Sequence, residues 1–326
     1  ARAPSRTEAV REEMTMIELS GLTKRYADKV AVDSISFRVR PGAVTGFLGP
    51  NGAGKTTTMR MILGLAAPTS GRVEIDGRPY AALDAPLKKV GAMVDASAID
   101  PRLTPAQYLD ILTTASGTGG ARIRGVLAAV GLAEAADKRI GEFSYGMRQR
   151  AGIAAALIGD PETVLMDEPF NGLDVDGIHW LRALLKDLAG QGKAVLVSSH
   201  LLSEVEEIAD RIVVLARGAL VADMPMAELR GRSAGSYVRV QSDDASALRR
   251  ALVAQGAQVE ALGHGALRVR GSSARRVGDT AFEEGLRVHE LVAHQPSLEQ
   301  LFTELVEGKT EYGGAAPGRE SGAARR

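Results

Sequence analysis

An apolar run, Ala43-Val44-Thr45-Gly46-Phe47-Leu48, leads directly into Gly49-Pro50-Asn51-Gly52-Ala53-Gly54-Lys55-Thr56. The run reads as a buried strand and the turn fits G-x-x-x-x-G-K-[ST], which together specify a phosphate-binding loop in its required context. Glycines let the backbone curl until successive N–H groups point inward at phosphate oxygens, and Lys55 adds a charge that reaches the β- and γ-phosphates. Thr56 would offer its hydroxyl to Mg²⁺. The helix that Thr57 opens, through Leu63, turns its positive N-terminal end toward the phosphates. A glycine-rich turn that merely connects strand to helix has no need of lysine followed by threonine.

The chain has 326 residues, more than one typical domain, so a large nucleotide-binding domain and a smaller one are expected. Lys+Arg 40 against Asp+Glu 40 gives a formal charge of zero, which argues against a nucleic-acid binder that works by neutralising phosphates. No apolar stretch approaches the roughly 20 residues needed to cross a bilayer, and the N-terminus lacks the apolar core of a secretion signal. A cytoplasmic protein is expected. The absence of cysteine excludes disulfides and thiolate chemistry, and the five histidines show no metal-ligand spacing.

Along the chain, residues 1–15 are polar and aperiodic and read as a disordered leader, with Met14 or Met16 as candidate native start. From Ile17 to about Gly77 a period of two dominates, giving strands at Ile17–Leu19, Val30–Val32, Ile35–Val39 and Arg72–Ile75. Between about 96 and 157 the pattern turns helical, as an insertion. Val164-Leu165-Met166 and Ala194-Val195-Leu196-Val197 are continuous apolar runs of the kind buried in a parallel sheet, so the first domain, 16–230, is α/β. Small and polar residues from Arg230 to Ser236 mark a boundary. The second domain, 236–307, reads β-α-β-β-α-β with a hairpin turning at Gly263-His264-Gly265, which suggests a ferredoxin-like α+β sandwich. Ser297 and Gln300 form a capping box before Leu298, Leu301, Phe302 and Leu305, and residues 308–326 read as a disordered tail.

Four further elements follow the loop in a fixed order. Phe143-Ser144-Tyr145-Gly146-Met147 resembles the signature of ATP-binding cassette (ABC) proteins, and Val164-Leu165-Met166-Asp167-Glu168 resembles their Walker B strand end. Asn171-Gly172-Leu173-Asp174 resembles the D-loop, and Ser198-Ser199-His200 the switch histidine. The resemblance covers about residues 17–230 and implies an ABC ATPase core, a mixed sheet around the phosphate loop with a helical subdomain.

Physical chemistry supports several of these positions independently. Asp167, at the carboxyl end of an apolar strand, would hold Mg²⁺ through water beside Thr56. Glu168 can point at the attacking water and contribute about 10²–10⁴ in rate. Ser144 and Gly146 at a helix N-terminus can bind an anion, although taken alone the run reads better as an ordinary N-cap. The rest is what the resemblance implies: that His200 contacts the γ-phosphate, that Tyr26 stacks on adenine, and that Ser144, Gly146 and Asp174 line a head-to-tail interface with a second copy of the chain. Without the resemblance, a surface tyrosine beside two basic residues is an equal reading of Tyr26.

The sequence also departs from the family pattern. Asp95 stands where most members carry a glutamine; a carboxylate there can still approach Mg²⁺ or water as a metal-site candidate but cannot donate a hydrogen bond when ionised. Tyr145 and Met147 replace a glycine and the final glutamine of the signature. Such substitutions, with the C-terminal domain, resemble drug- and antibiotic-resistance exporters whose cassette is a separate chain. The resemblance therefore implies an ATPase with ATP and Mg²⁺ as cofactors, a polytopic membrane permease subunit as partner, peripheral placement on the inner face of the membrane, and a drug-like, antibiotic or lipid-like cargo. A soluble cassette acting on ribosomes or DNA, and an importer subunit, are the alternatives.

Overall fold

Runs of apolar residues with no polar alternation can be satisfied only when both faces of a strand are covered, and the centre of this molecule is built that way. The computed structural model describes residues 16–200, 202–231 and 236–294. The expected leader, the capped helix at Ser297–Leu305 and the tail lie outside them. The chain divides into two compact units, with the division between Ala227 and Glu228.

The first unit begins with β1 (Ile17–Tyr26) and β2 (Lys29–Val39), followed by β3 (Ala43–Leu48), α1 (Lys55–Ile62) and β4 (Ser70–Ile75). Strands β2, β1 and β4 form a three-stranded antiparallel sheet. The two strands expected at 30–32 and 35–39 are one continuous β2. It passes Ser34 at φ 46 with a register shift against β1, and the Ser34 N–H is taken by Thr23 Oγ1 at 2.9 Å. A β-bulge thus absorbs the break in alternation.

After α2 (Pro86–Lys89) and β5 (Val90–Met93) comes the helical segment, α3 (Pro105–Ser116), α4 (Ile123–Ala129) and α5 (Tyr145–Leu157). Thr104 and Gln107 cap α3 reciprocally, with Pro105 at its first position. The remaining elements are β6 (Thr163–Met166), α6 (Val175–Gly190), β7 (Ala194–Ser199), α7 (Leu202–Glu206), β8 (Arg211–Ala216) and β9 (Ala219–Pro225), and the division between the units falls within α8 (Met226–Gly231).

The six-stranded sheet has the order β5-β6-β7-β3-β8-β9, parallel except for β9. Val164, Met166, Val195 and Val197 point to one side, where Ile153 of α5 and Leu181 and Leu185 of α6 pack. Leu165, Leu196, Phe47 and Val213 point to the other, against Met59 and Ile62 of α1 and the inner face of the three-stranded sheet. Each such fully buried side chain contributes about 1.5–3 kcal/mol. Two apolar cores therefore hold β6, β7 and β3 rigidly, side by side, with their carboxyl ends at one edge.

The second unit contains β10 (Tyr237–Ser242), α9 (Ala245–Ala254), β11 (Gln258–Gly263), β12 (Ala266–Arg270), α10 (Ala274–Glu283) and β13 (Val288–His294). Its antiparallel sheet has the order β11-β12-β10-β13. Val238, Val240, Leu267 and Val269 pack against Leu248 and Leu252 of α9 and Val277 of α10. The other sheet face is polar, with Arg239 paired to Glu290 and Arg268 to Glu260.

Candidate nucleotide site

In open parallel sheets, ligands bind beyond the carboxyl ends of the strands, and here β3, β7 and β6 end together. β3 runs into the glycine loop, β6 into Asp167 and Glu168, and β7 into His200.

Gly54, the N-cap of α1, has φ 108, and no side chain caps the helix. A Cβ there would lie 2.6 Å from the Ala31 carbonyl oxygen, so only glycine fits. Lys55 is buried; its Nζ donates to the Gly49 carbonyl at 2.7 Å and lies 3.2 Å from Glu168 Oε1. A buried lysine with one carboxylate and one carbonyl is a cation poised to exchange partners when phosphates arrive.

Thr56 Oγ1 donates to Asp167 Oδ2 at 2.5 Å, and the buried Ser198 hydroxyl donates to Asp167 Oδ1. Glu168 has φ 50, a left-handed conformation unusual for a residue with a side chain. Its N–H donates to Ser198 Oγ at 2.9 Å and its carbonyl accepts from Gln149 Nε2 at 3.3 Å. Glu168 Oε2 accepts from the His200 N–H at 3.2 Å and lies 2.7 Å from His200 Nδ1. Because an ionised carboxylate only accepts, a hydrogen bond there needs a proton on Nδ1. One side chain thus joins Lys55 and His200 across the strand ends.

A cavity of about 320 Å³ is lined by Tyr26, Lys29, Ala31, the segment from Asn51 to Thr57, and Glu168. Tyr26 is half-exposed, with Lys24 Nζ 4.9 Å from its ring centroid. Lys29 has no sequence motif; it opens β2 and lines the cavity with Tyr26 and Ala31. Ser198, quoted only as part of the run that leads to His200, and Gln149 carry no role in the sequence reading, since a buried Ser in a strand and a Gln inside a helix do not reveal their partners.

The other candidate residues lie elsewhere. Ser144 caps α5, accepting from the Met147 N–H at 3.2 Å. Asp174 caps α6 through the Gly177 N–H at 2.8 Å. The two segments touch: a Cβ at Gly172 would fall 1.9 Å from Tyr145 Cδ1, and one at Gly146 would fall 3.0 Å from the Gly172 carbonyl oxygen. Neither Ser144, Gly146 nor Asp174 lines the loop cavity. Asp95 Oδ1 accepts from the Ser97 N–H at 2.9 Å and from Ser97 Oγ at 2.6 Å, a local turn that takes up the carboxylate expected near Mg²⁺.

The chemistry of the donor set fits a small hard cation. Thr56 and Asp167 present a hydroxyl and a carboxylate in contact, and Mg²⁺ takes oxygen ligands, usually one or two carboxylates with phosphates and water. Among the described residues no three His, Cys, Asp or Glu side chains gather as a protein-only cage.

Residues 32–171 match the family model described as ABC transporter, and residues 236–299 match a domain family of unknown function. The bacitracin transport ATP-binding protein BcrA of Bacillus licheniformis is 36% identical over 305 residues, 91% of this chain and 99% of that protein. The lantibiotic transport ATP-binding protein SrtF of Streptococcus pyogenes is 34% identical over 64% of this chain and 90% of its own. A solved dimeric ATP-binding cassette in a post-hydrolysis state, bound to ADP and Pi, superposes with a TM-score of 0.60 at 26% identity, covering 65% of this chain and 99% of that one. With a full-length relative at that identity and the strand-end cluster in place, the chain belongs to the ABC transporter family and is an ATP-binding, ATP-hydrolysing subunit.

Proposed function

We propose that this ATPase powers export of an antibiotic-like or lipid-like compound through a separate membrane subunit, working as a head-to-tail pair of cassettes on the inner face of the membrane. The observation that carries the catalytic half is the Lys55–Glu168–His200 cluster closed over the strand ends. The export half is supported by the match to BcrA, which runs over 99% of that protein and so takes in the second unit as well. Among the described residues no helix is long and apolar enough to cross a membrane, which fits a cassette that borrows its channel.

In this reading the open amides of the loop and of the first turn of α1 receive the phosphates, and Lys55 leaves Glu168 to meet them. Tyr26 offers a π-face to adenine at the cavity mouth. Glu168, released from Lys55 and still beside His200, orients the attacking water or takes its proton. His200, held beside Glu168, would contact the γ-phosphate. Thr56 and Asp167 would hold Mg²⁺, which would neutralise charge developing on the phosphates. Asp95 would have to release Ser97 before approaching that cation. Ser144, Gly146 and Asp174 would complete the site of the partner copy. The second unit reads as a ferredoxin-like accessory domain that regulates or stabilises the pair.

The test is recovery of the Glu168→Gln variant from gently solubilised native membranes with ATP and Mg²⁺, followed by mass spectrometry. A stoichiometric polytopic membrane protein is expected. Ribosomal or DNA-associated proteins in its place would reject the export reading.

A further inference from the structure

We propose that Ser198 is a positioning residue for hydrolysis, holding the Asp167 carboxylate and the Glu168 peptide through one hydroxyl. The proposal rests on the reading of Glu168 as the residue that orients water. Ser198 is fully buried at the end of β7. Its O–H donates to Asp167 Oδ1, and its lone pair takes the Glu168 N–H at 2.9 Å. A hydroxyl is the smallest side-chain group that donates and accepts at once, so alanine would strand a buried N–H and uncouple one carboxylate oxygen.

The geometry explains why such a clamp is needed. At φ 50 the Glu168 peptide occupies a region that a Cβ disfavours, and it persists only when neighbours over-determine it. Three contacts do so. Ser198 takes the N–H, while the carbonyl accepts from Gln149 Nε2 at 3.3 Å and from the Asn171 N–H at 3.3 Å. Gln149 is itself buried and belongs to α5, whose N-terminus carries Ser144, so the peptide bearing the catalytic carboxylate is pinned between β7 and the signature helix. With the peptide fixed in this turn, the side chain leaves β6 toward Lys55 and His200. On the other side of Ser198, the Asp167 carboxylate is fixed between two hydroxyls, Thr56 and Ser198, which sets its plane toward the loop. Loss of the shared hydroxyl would loosen the Asp167 carboxylate and the Glu168 peptide together, and catalytic groups tolerate little displacement.

The experiment compares Ser198→Ala, Ser198→Thr and Ser198→Val in the full chain. Thr and Val have nearly the same shape and differ by the hydroxyl. Ser198→Ala and Ser198→Val are expected to lower kcat by about 10–100-fold, with KM for ATP changed by less than about threefold. Ser198→Thr is expected to recover most of the rate. ATP binding in EDTA should be unchanged in all three, while half-saturation by Mn²⁺ in the presence of ATP should rise in the Ala and Val variants. Amide exchange at Glu168 should accelerate in the same two. A kcat within about twofold of wild type in Ser198→Ala overturns the proposal, as does equal damage in Thr and Val. Should the added methyl prevent folding, Ser198→Ala decides alone, and unchanged protection of the Glu168 amide then overturns it. Glu168→Gln run in parallel separates the two readings: if it retains full turnover, the role of Glu168 fails first, whatever Ser198 does.

Discussion

Two helix N-termini in the first unit carry the signals for binding phosphate, and they are built in opposite ways. At α1 the N-cap is Gly54 and no side chain caps the turn, so its amides stay open toward the cavity. At α5 the N-cap is Ser144, whose oxygen already accepts from the Met147 N–H. The first is an anion site that exists only because Lys55 and glycine conformations hold it open; the second is a stable helix start. The two uses of Ser144 are compatible, because its oxygen caps the helix while its O–H remains able to donate to a ligand. In the proposed head-to-tail pair, one chain would supply a whole loop site and part of a second, which a facing copy would complete.

Lys55→Ala strikes the open end and should have the largest effect. It removes the cation that holds the Gly49 carbonyl and balances Glu168, and loss of one such electrostatic group costs about 10²–10³ in kcat. Titration with a fluorescent ATP analogue should show weakened binding in a single chain. Intact affinity and turnover would mean that the open amides suffice alone. Ser144→Ala strikes the capped end. It should cost about 0.5–2 kcal/mol of stability, leave ATP binding to the isolated chain intact, and lower turnover only where two chains associate. Denaturant melts and the concentration dependence of ATPase activity read both effects. Equal loss of binding in the two variants would erase the distinction between the ends.

The sequence made the open end more legible than its surroundings. A glycine loop announces itself because only certain residues tolerate its backbone, and continuous apolar runs at Val164–Met166 and Ala194–Val197 correctly indicate strands covered on both faces. The β1–β2 pairing was legible only in part, since Ser34 at φ 46 lets one strand continue through what reads as a gap. The supports of the site were silent. Ser198 and Gln149 matter through partners 19 or more positions away and Lys29 through the cavity it lines, and no local pattern encodes such contacts. Asp95 shows the converse: a position that the resemblance assigns to the cation is taken up by its own turn with Ser97.

The far end of α5 provides a control for the comparison, and the smallest effect. Asp160 lies just beyond the C-cap Ile158, at φ 52, with Oδ1 accepting from Lys193 Nζ at 2.9 Å and Oδ2 from Arg122 at 3.2 Å. The Lys193 hydrogen bond holds its carboxyl below the ordinary value of 3.8, partly opposed by desolvation and aided by the charges of Lys193 and Arg122. Because the folded-state value is depressed, the stabilisation is fully present above the unfolded value and fades as pH falls through the folded one. Asp160 is more than half exposed, so solvent screening limits the contribution to at most about 1 kcal/mol. Asp160→Asn isolates this charge, since asparagine also tolerates a left-handed backbone. Melts at pH 7 should show a small destabilisation that shrinks as pH drops below about 4, with ATP binding and turnover at pH 7 unchanged because both helix N-termini are intact. A deficit that stays constant from neutral to acid pH would place the effect in the turn geometry instead of the ion pair.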